Sequence, residues 1–221
     1  LAGLRDIVVA RGGRADVVAP RIPLDLIVDH SLQVDFSGTP DALMRNLWRE
    51  YERNEERYTF LKWAQQALGN LTIHPPGSGI IHQINLERLT RIMVETTVGG
   101  RCVAHPEFVM GGDSHTPMVN ALGVLGWGVG GLDVEAALLG LPYVVPVPEI
   151  VGVRLEGTIP PGVMTTDLAL LVTQILRREN VTGAFVEYFG PAIAHLRVEE
   201  RATLSKHGAR IWRDLWLLCR G

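Results

Sequence analysis

Apolar runs and amphipathic stretches alternate along the chain, and the breaks between them fall at glycine and proline. Leu1 to Arg11 carries apolar residues at Leu4, Ile7, Val8 and Ala10, a helical spacing closed by Gly12-Gly13. Leu24-Asp-Leu-Ile-Val28 reads as a buried strand with Asp29 and His30 at its carboxyl end. From Asp41 to Leu68, the residues Leu43, Leu47, Tyr51, Tyr58, Leu61 and Ala64 recur every three or four positions, in two blocks. The charged run Glu52-Arg-Asn-Glu-Glu-Arg57 between the blocks reads as a solvated helical face where the pattern loosens. Asn70 to His74 is a short strand, and Leu86 to Val98 is predicted helical, ended by Gly99-Gly100. A strand through Phe108-Val109-Met110, a helix from Asp133 to Leu139 and an alternating strand from Ile150 to Glu156 follow. Thr165-Thr-Asp167 caps an amphipathic helix bearing Leu168, Leu171, Val172, Ile175 and Leu176, and Val181 to Phe189 is a further strand. This rhythm predicts an α/β fold: a mainly parallel sheet with helical covers.

The stretch with the most chemistry follows the Phe108 strand. Gly111-Gly112 leads into Asp113-Ser114-His115, a carboxylate, a hydroxyl and an imidazole in consecutive positions, and then Thr116-Pro117. Five glycines in nine residues come next, at 123, 126, 128, 130 and 131, giving backbone that approaches a ligand or another chain segment closely. The carboxyl ends of parallel strands are where α/β proteins bind ligands, so Asp113, Ser114, His115, Asp29 and His30 are all candidates. For Asp29 and His30 a turn cap and a surface imidazole is an equal alternative. His82, with Gln83, sits in an apolar segment entered through Gly77-Ser-Gly79, where a hydrogen-bonded core role competes with a catalytic one.

Composition narrows the function classes. Apolar residues make up 47% and charged residues 20%, enough to build a sizeable globular core. The formal charge of −3 gives no electrostatic case for nucleic acid or an acidic membrane surface. The most apolar region, Leu122 to Val147, is interrupted by Asp133, Glu135, Pro142 and Pro146 and reads as core rather than membrane span. The two cysteines, Cys102 and Cys219, are far apart and without metal spacing, which suits a reducing, cytoplasmic setting and leaves no residue assigned as a metal ligand. A first residue of Leu rather than Met leads us to expect a fragment.

Several segments together resemble the aconitase family of iron–sulfur hydro-lyases, most closely its monomeric bacterial type. They are Val28-Asp-His-Ser-Leu-Gln-Val-Asp35, Gly77-Ser-Gly-Ile-Ile-His-Gln83, Gly112-Asp-Ser-His-Thr116, Gly123-Val-Leu-Gly-Trp-Gly-Val-Gly-Gly131 and Thr203-Leu-Ser205, in the family's order over residues 1 to 205. The resemblance implies a three-layer α/β/α fold, here incomplete, with residues 1–148 in a first α/β domain and 149–205 beginning a second. It implies interconversion of citrate and isocitrate through cis-aconitate in the tricarboxylic acid cycle, on a [4Fe–4S] cluster, in a protein that is typically a monomer. Asp29 and His30 match the pair that assists loss of the hydroxyl. His82 matches a second imidazole near the departing water, and Asp113, Ser114 and His115 match the triplet contacting substrate and water. A 2-methylcitrate dehydratase of the same family is an alternative. A cluster-free, RNA-binding member is another, disfavoured by the charge balance.

The family's three cluster cysteines, its base serine and its substrate-binding arginines have no match in this chain, so the isolated chain is expected to lack activity. After Ser205 the family continues Asn-Met-Ala-Pro-Glu-Tyr-Gly-Ala-Thr-Cys-Gly, whereas this chain reads Lys206-His-Gly-Ala-Arg-Ile-Trp-Arg-Asp-Leu-Trp216. Both peptides can be written from one DNA string read one base apart. Residues 206–221 are therefore expected to be an out-of-frame tail.

Overall fold

The computed structural model describes residues 1–28, 32–76, 90–209 and 217–219. The chain divides into two compact units, Leu1–Ile80 with Glu135–Tyr143, and Ile81–Val134 with Val144–Gly221.

The first unit begins with α1 (Ala2–Ala10), followed by β1 (Leu24–Ile27), α2 (Ala42–Arg53), α3 (Glu55–Ala67) and β2 (Leu71–His74). The strands β1 and β2 pair in parallel from Leu24↔Leu71 to Ile27↔His74, with α2 and α3 forming the crossover. The helical pattern read over Asp41–Leu68 forms two helices, divided where it loosens: α2 stops at Arg53, and Asn54, at φ −117°, turns the chain into α3. Val18, Val28, Leu61, Ala64 and Leu68 are buried. Polar ties hold the periphery. Arg5 donates to the carbonyls of Val18 (3.2 Å) and Ala67 (2.9 Å). The buried Asn46 accepts the backbone N–H groups of Asp35 and Phe36 and donates back to the Phe36 carbonyl, each at 2.9 Å, so the segment after β1 is fastened to α2.

In the second unit, β3 (Met93–Val98) and β4 (Arg101–Pro106) form an antiparallel hairpin, paired from Met93↔Pro106 to Val98↔Arg101. This corrects the expected helix over Leu86–Val98, at least for its described part. Gly99 and Gly100, at φ +58° and +77°, are the two central residues of a tight hairpin turn rather than a helix stop. Val94, Thr96, Thr97 and Val98 are β-branched and favour that outcome.

Next come β5 (Phe108–Gly111), a 3₁₀ segment (Thr116–Leu122) and β6 (Leu125–Gly128), with β5 and β6 parallel from Phe108↔Leu125 to Gly111↔Gly128. α4 (Gly131–Leu138) passes from the second unit into the first. The remaining elements are β7 (Ile150–Arg154), α5 (Thr165–Arg178), β8 (Phe185–Phe189), α6 (Val198–Ala209) and β9 (Leu217–Cys219). These three strands make a parallel sheet in the order β7-β8-β9. The stretch expected to be out of frame thus supplies the end of α6 and all of β9. Among the described residues the fold is mixed α/β, its small sheets parallel except for the β3–β4 hairpin.

Two buried clusters hold this unit. One joins Ala169, Val172 and Leu176 of α5 to Val186 and Tyr188 of β8 and Leu204 of α6. The other joins Met118, Val119, Ala121 and Val124 to Ala202 of α6. No helix among the described residues is long and apolar enough to cross a membrane.

The start of α6 is set by Glu200, whose carboxylate accepts the Arg197 backbone N–H at 2.8 Å and the Thr165 hydroxyl at 3.3 Å. The Arg197 N–H bond is the main reason that its pKa lies below the ordinary glutamate value. A carboxylate with a lowered folded-state pKa adds stability above its unfolded value, and that stability is lost as pH falls through the folded value. Glu200→Gln is therefore expected to lower the urea midpoint at roughly pH 6 and to approach the parent at roughly pH 3. Equal gaps between the two midpoints at both pH values would remove Glu200 from the acid response.

Candidate functional site

Asp113, Ser114 and His115 leave the carboxyl end of β5 and enter the 3₁₀ segment. Two features force that turn. Gly111, the last residue of β5, lies against Thr116, and a Cβ there would meet Thr116 Cγ2 at 2.7 Å. The buried Thr116 donates its hydroxyl to the Asp113 carbonyl at 2.8 Å, and its own N–H reaches the same oxygen at 3.2 Å. The neighbouring strand continues the frame, since the Val129 N–H bonds the Gly111 carbonyl at 2.8 Å.

Within the turn, Asp113 Oδ1 accepts the His115 backbone N–H at 2.6 Å and lies 2.9 Å from His115 Nδ1. Ser114 Oγ lies 3.2 Å from the same ring nitrogen. An ionised carboxylate only accepts, so in the neutral ring the proton sits on Nδ1. Nε2 is then the unprotonated nitrogen of the neutral ring. The imidazole is 17% exposed and its carboxylate partner 52%, so the pair sits at the rim of the unit, within reach of a dissolved substrate. A carboxylate-backed imidazole with a hydroxyl beside it is equipped for acid–base work on a polar substrate.

Of the residues singled out from sequence, the structure brings Asp113, Ser114 and His115 together. Asp29, His30 and His82 lie outside the described residues. Two buried polar groups were not singled out. Asn120, fully buried, accepts the Gly126 N–H at 2.6 Å through Oδ1, which orients its amide. Ser205 of α6, quoted above only as part of a motif, donates its hydroxyl to the Pro117 carbonyl. A polar residue interrupting an apolar stripe was the one signal available for it.

The residues present do not fit a [4Fe–4S] cluster. Such clusters are held by cysteine thiolates, and the chain has two cysteines, of which Cys102 stands exposed on the β3–β4 hairpin. Among the described residues no group of three or more His, Cys, Asp or Glu side chains is placed to hold a metal ion. A cavity of about 470 Å³ opens elsewhere in this unit, lined by Leu155, Ile159, Leu168, Leu171, His195 and Glu200 among others. It includes none of the candidate residues, and Glu200 is already engaged in capping α6.

Residues 1–210 match the family model described as the aconitase family (aconitate hydratase). Aconitate hydratase A of Bacillus subtilis (strain 168) is 51% identical to this chain over 205 residues. Aconitate hydratase A of Thermus thermophilus is 50% identical, and that of Streptococcus mutans 51%, each over 205 residues. In all three the match covers 93% of this chain and 23% of the relative.

Proposed function

The chain belongs to the aconitase family, and from that membership we propose that it carries the acid–base side chains of an aconitate hydratase, interconverting citrate and isocitrate through cis-aconitate. The observation that carries this reading is the Asp113–His115 pair, with Oδ1 2.9 Å from Nδ1, a contact whose chemistry favours the ring proton on Nδ1. Dehydration breaks a C–O bond and a neighbouring C–H bond. The hydroxyl leaves as water once it receives a proton, and a base takes the proton from carbon.

In this reading His30, backed by Asp29, delivers the proton to the departing hydroxyl, and His82 attends the water that forms. Asp113 and Ser114 bind the substrate's polar groups, and His115 exchanges a proton with the neighbouring water through Nε2. The base that removes the carbon-bound proton is not assigned to this chain. The cluster used in the family finds no ligand set here, so no step is assigned through it. The finer architecture, a three-layer sandwich divided near residue 148, belongs to the same proposal.

The chain spans about a quarter (23%) of the Bacillus subtilis relative, and the test uses that relation. Residues 1–205 replace the matched segment of that aconitate hydratase A, and cis-aconitate absorbance is followed with citrate, isocitrate and 2-methylcitrate. Turnover of citrate and isocitrate is expected. A folded, cluster-loaded chimera that turns over neither of them overturns the reading, and turnover of 2-methylcitrate alone moves the substrate to the methylated homologue.

A further inference from the structure

We propose that Ser205 is a positioning residue for the Asp113–His115 pair, acting through the Pro117 carbonyl. The proposal rests on the reading of that pair as acid–base machinery.

On α6, Val198, Ala202 and Ser205 are spaced four and three residues apart and so share one face. Val198 and Ala202 pack into the cluster formed by Met118, Val119, Ala121 and Val124. Ser205 continues that stripe and is itself only 2% exposed. Packing alone would be served there by alanine. The hydroxyl instead donates to the carbonyl of Pro117, two residues beyond His115 and 88 residues away along the chain. Pro117 has no N–H of its own, so its carbonyl is the backbone group by which this residue is tied to the rest of the unit.

The pair and this bond belong to one short span of backbone. The Asp113 carbonyl is held by Thr116, next to Pro117. The Asp113 carboxylate is held by the backbone N–H of His115, two residues before Pro117. Moving Pro117 therefore moves the frame on which the carboxylate and the imidazole meet. Small displacements of that kind matter for catalysis far more than for stability.

The test uses the full 221-residue chain labelled with ¹⁵N-histidine, which contains seven histidines; His115 is assigned from the resonance missing in His115→Gln. The parent is expected to show the Nδ1–H tautomer at His115. Ser205→Ala is expected to show a mixture of tautomers, like a solvent-exposed histidine. Leu204→Ala, which destabilises the same helix from its other buried face, is expected to leave the His115 tautomer unchanged. An unchanged tautomer in a folded Ser205→Ala chain overturns the proposal, and so does an equal disturbance by Leu204→Ala.

If Ser205→Ala does not fold, Ser205→Cys fills the site with a slightly larger side chain of the same shape and weakens the donor. A partial mixture is then expected, and a parent-like spectrum overturns the proposal. In the chimera, Ser205→Ala is expected to lower kcat by about tenfold to a hundredfold with KM little changed. The spectroscopic arm needs no turnover. An inactive chimera with an intact Ser205 effect on the tautomer sinks the hydratase reading alone, whereas an active chimera with no such effect sinks this one alone.

Discussion

In the chimera carrying residues 1–205, His115→Ala is expected to lower kcat by about 10²–10⁴-fold, the range for loss of a positioned acid–base group. KM should change far less, because the proton moves only on the way to the transition state. The expectation depends on Asp113 Oδ1, which at 2.9 Å from Nδ1 selects the tautomer. Asp113→Asn gives an independent arm. Its amide can turn an N–H toward the ring, favouring the proton on Nε2 and disabling the nitrogen that should accept. A similar kcat loss is expected there with the fold intact, judged by circular dichroism and the urea midpoint. Near-parental kcat in both variants would remove the pair from the chemistry.

Gly126→Ala is expected to be strongly destabilising to the second unit. A Cβ at this position in β6 would lie 2.6 Å from the Thr116 carbonyl oxygen and 3.0 Å from Asn120 Oδ1. The first of these is backbone, so no side-chain rotation relieves it. The Gly126 N–H also serves the fully buried Asn120. Any shift of β6 that makes room for the methyl lengthens that bond, and a buried amide left unpaired costs about 1–3 kcal/mol. Together with overpacking of about 1–3 kcal/mol, the urea midpoint should fall sharply. Gly131→Ala is the control: a Cβ there meets nothing within 4 Å. It is expected to be neutral or stabilising by up to about 1 kcal/mol. Equal midpoints for the two variants would show that β6 does not pack on the 3₁₀ segment as described.

The parts of the fold written in local pattern were legible. Leu24–Ile27 and Leu71–His74 carry their strand character in apolar residues interrupted by Asp25 and Thr72, Phe108–Gly111 carries it in a consecutive apolar run, and the Gly111-Gly112 break marks where the site begins. Thr165–Arg178 was legible from its stripe and its flanking charges. Met93–Val98 was not. Leu86, Leu89, Ile92 and Met93 fall at helical spacing, and a glycine pair after them serves a helix end and a hairpin turn equally well. Strand pairing with Arg101–Pro106 settles the conformation, and that partner lies on the far side of the turn. The division at Asn54 was only half legible, because a charge run signals solvation and not the turn of a backbone. In the site, adjacency alone made Asp113, Ser114 and His115 visible. Asn120 and Ser205 act through partners remote in sequence or hidden in the core, so composition and spacing passed them by.

The bond from Ser205 to Pro117 also bears on when the site comes into being. A contact across 88 residues closes only after most of the second unit has been made. On the ribosome, Asp113, Ser114 and His115 emerge long before α6 does. Their turn is held at first by Thr116 and the Asp113 carbonyl, a local bond formed at once. The final fastening waits for residue 205. The triplet is thus one of the early pieces of this unit to be synthesised and one of the late ones to be finished.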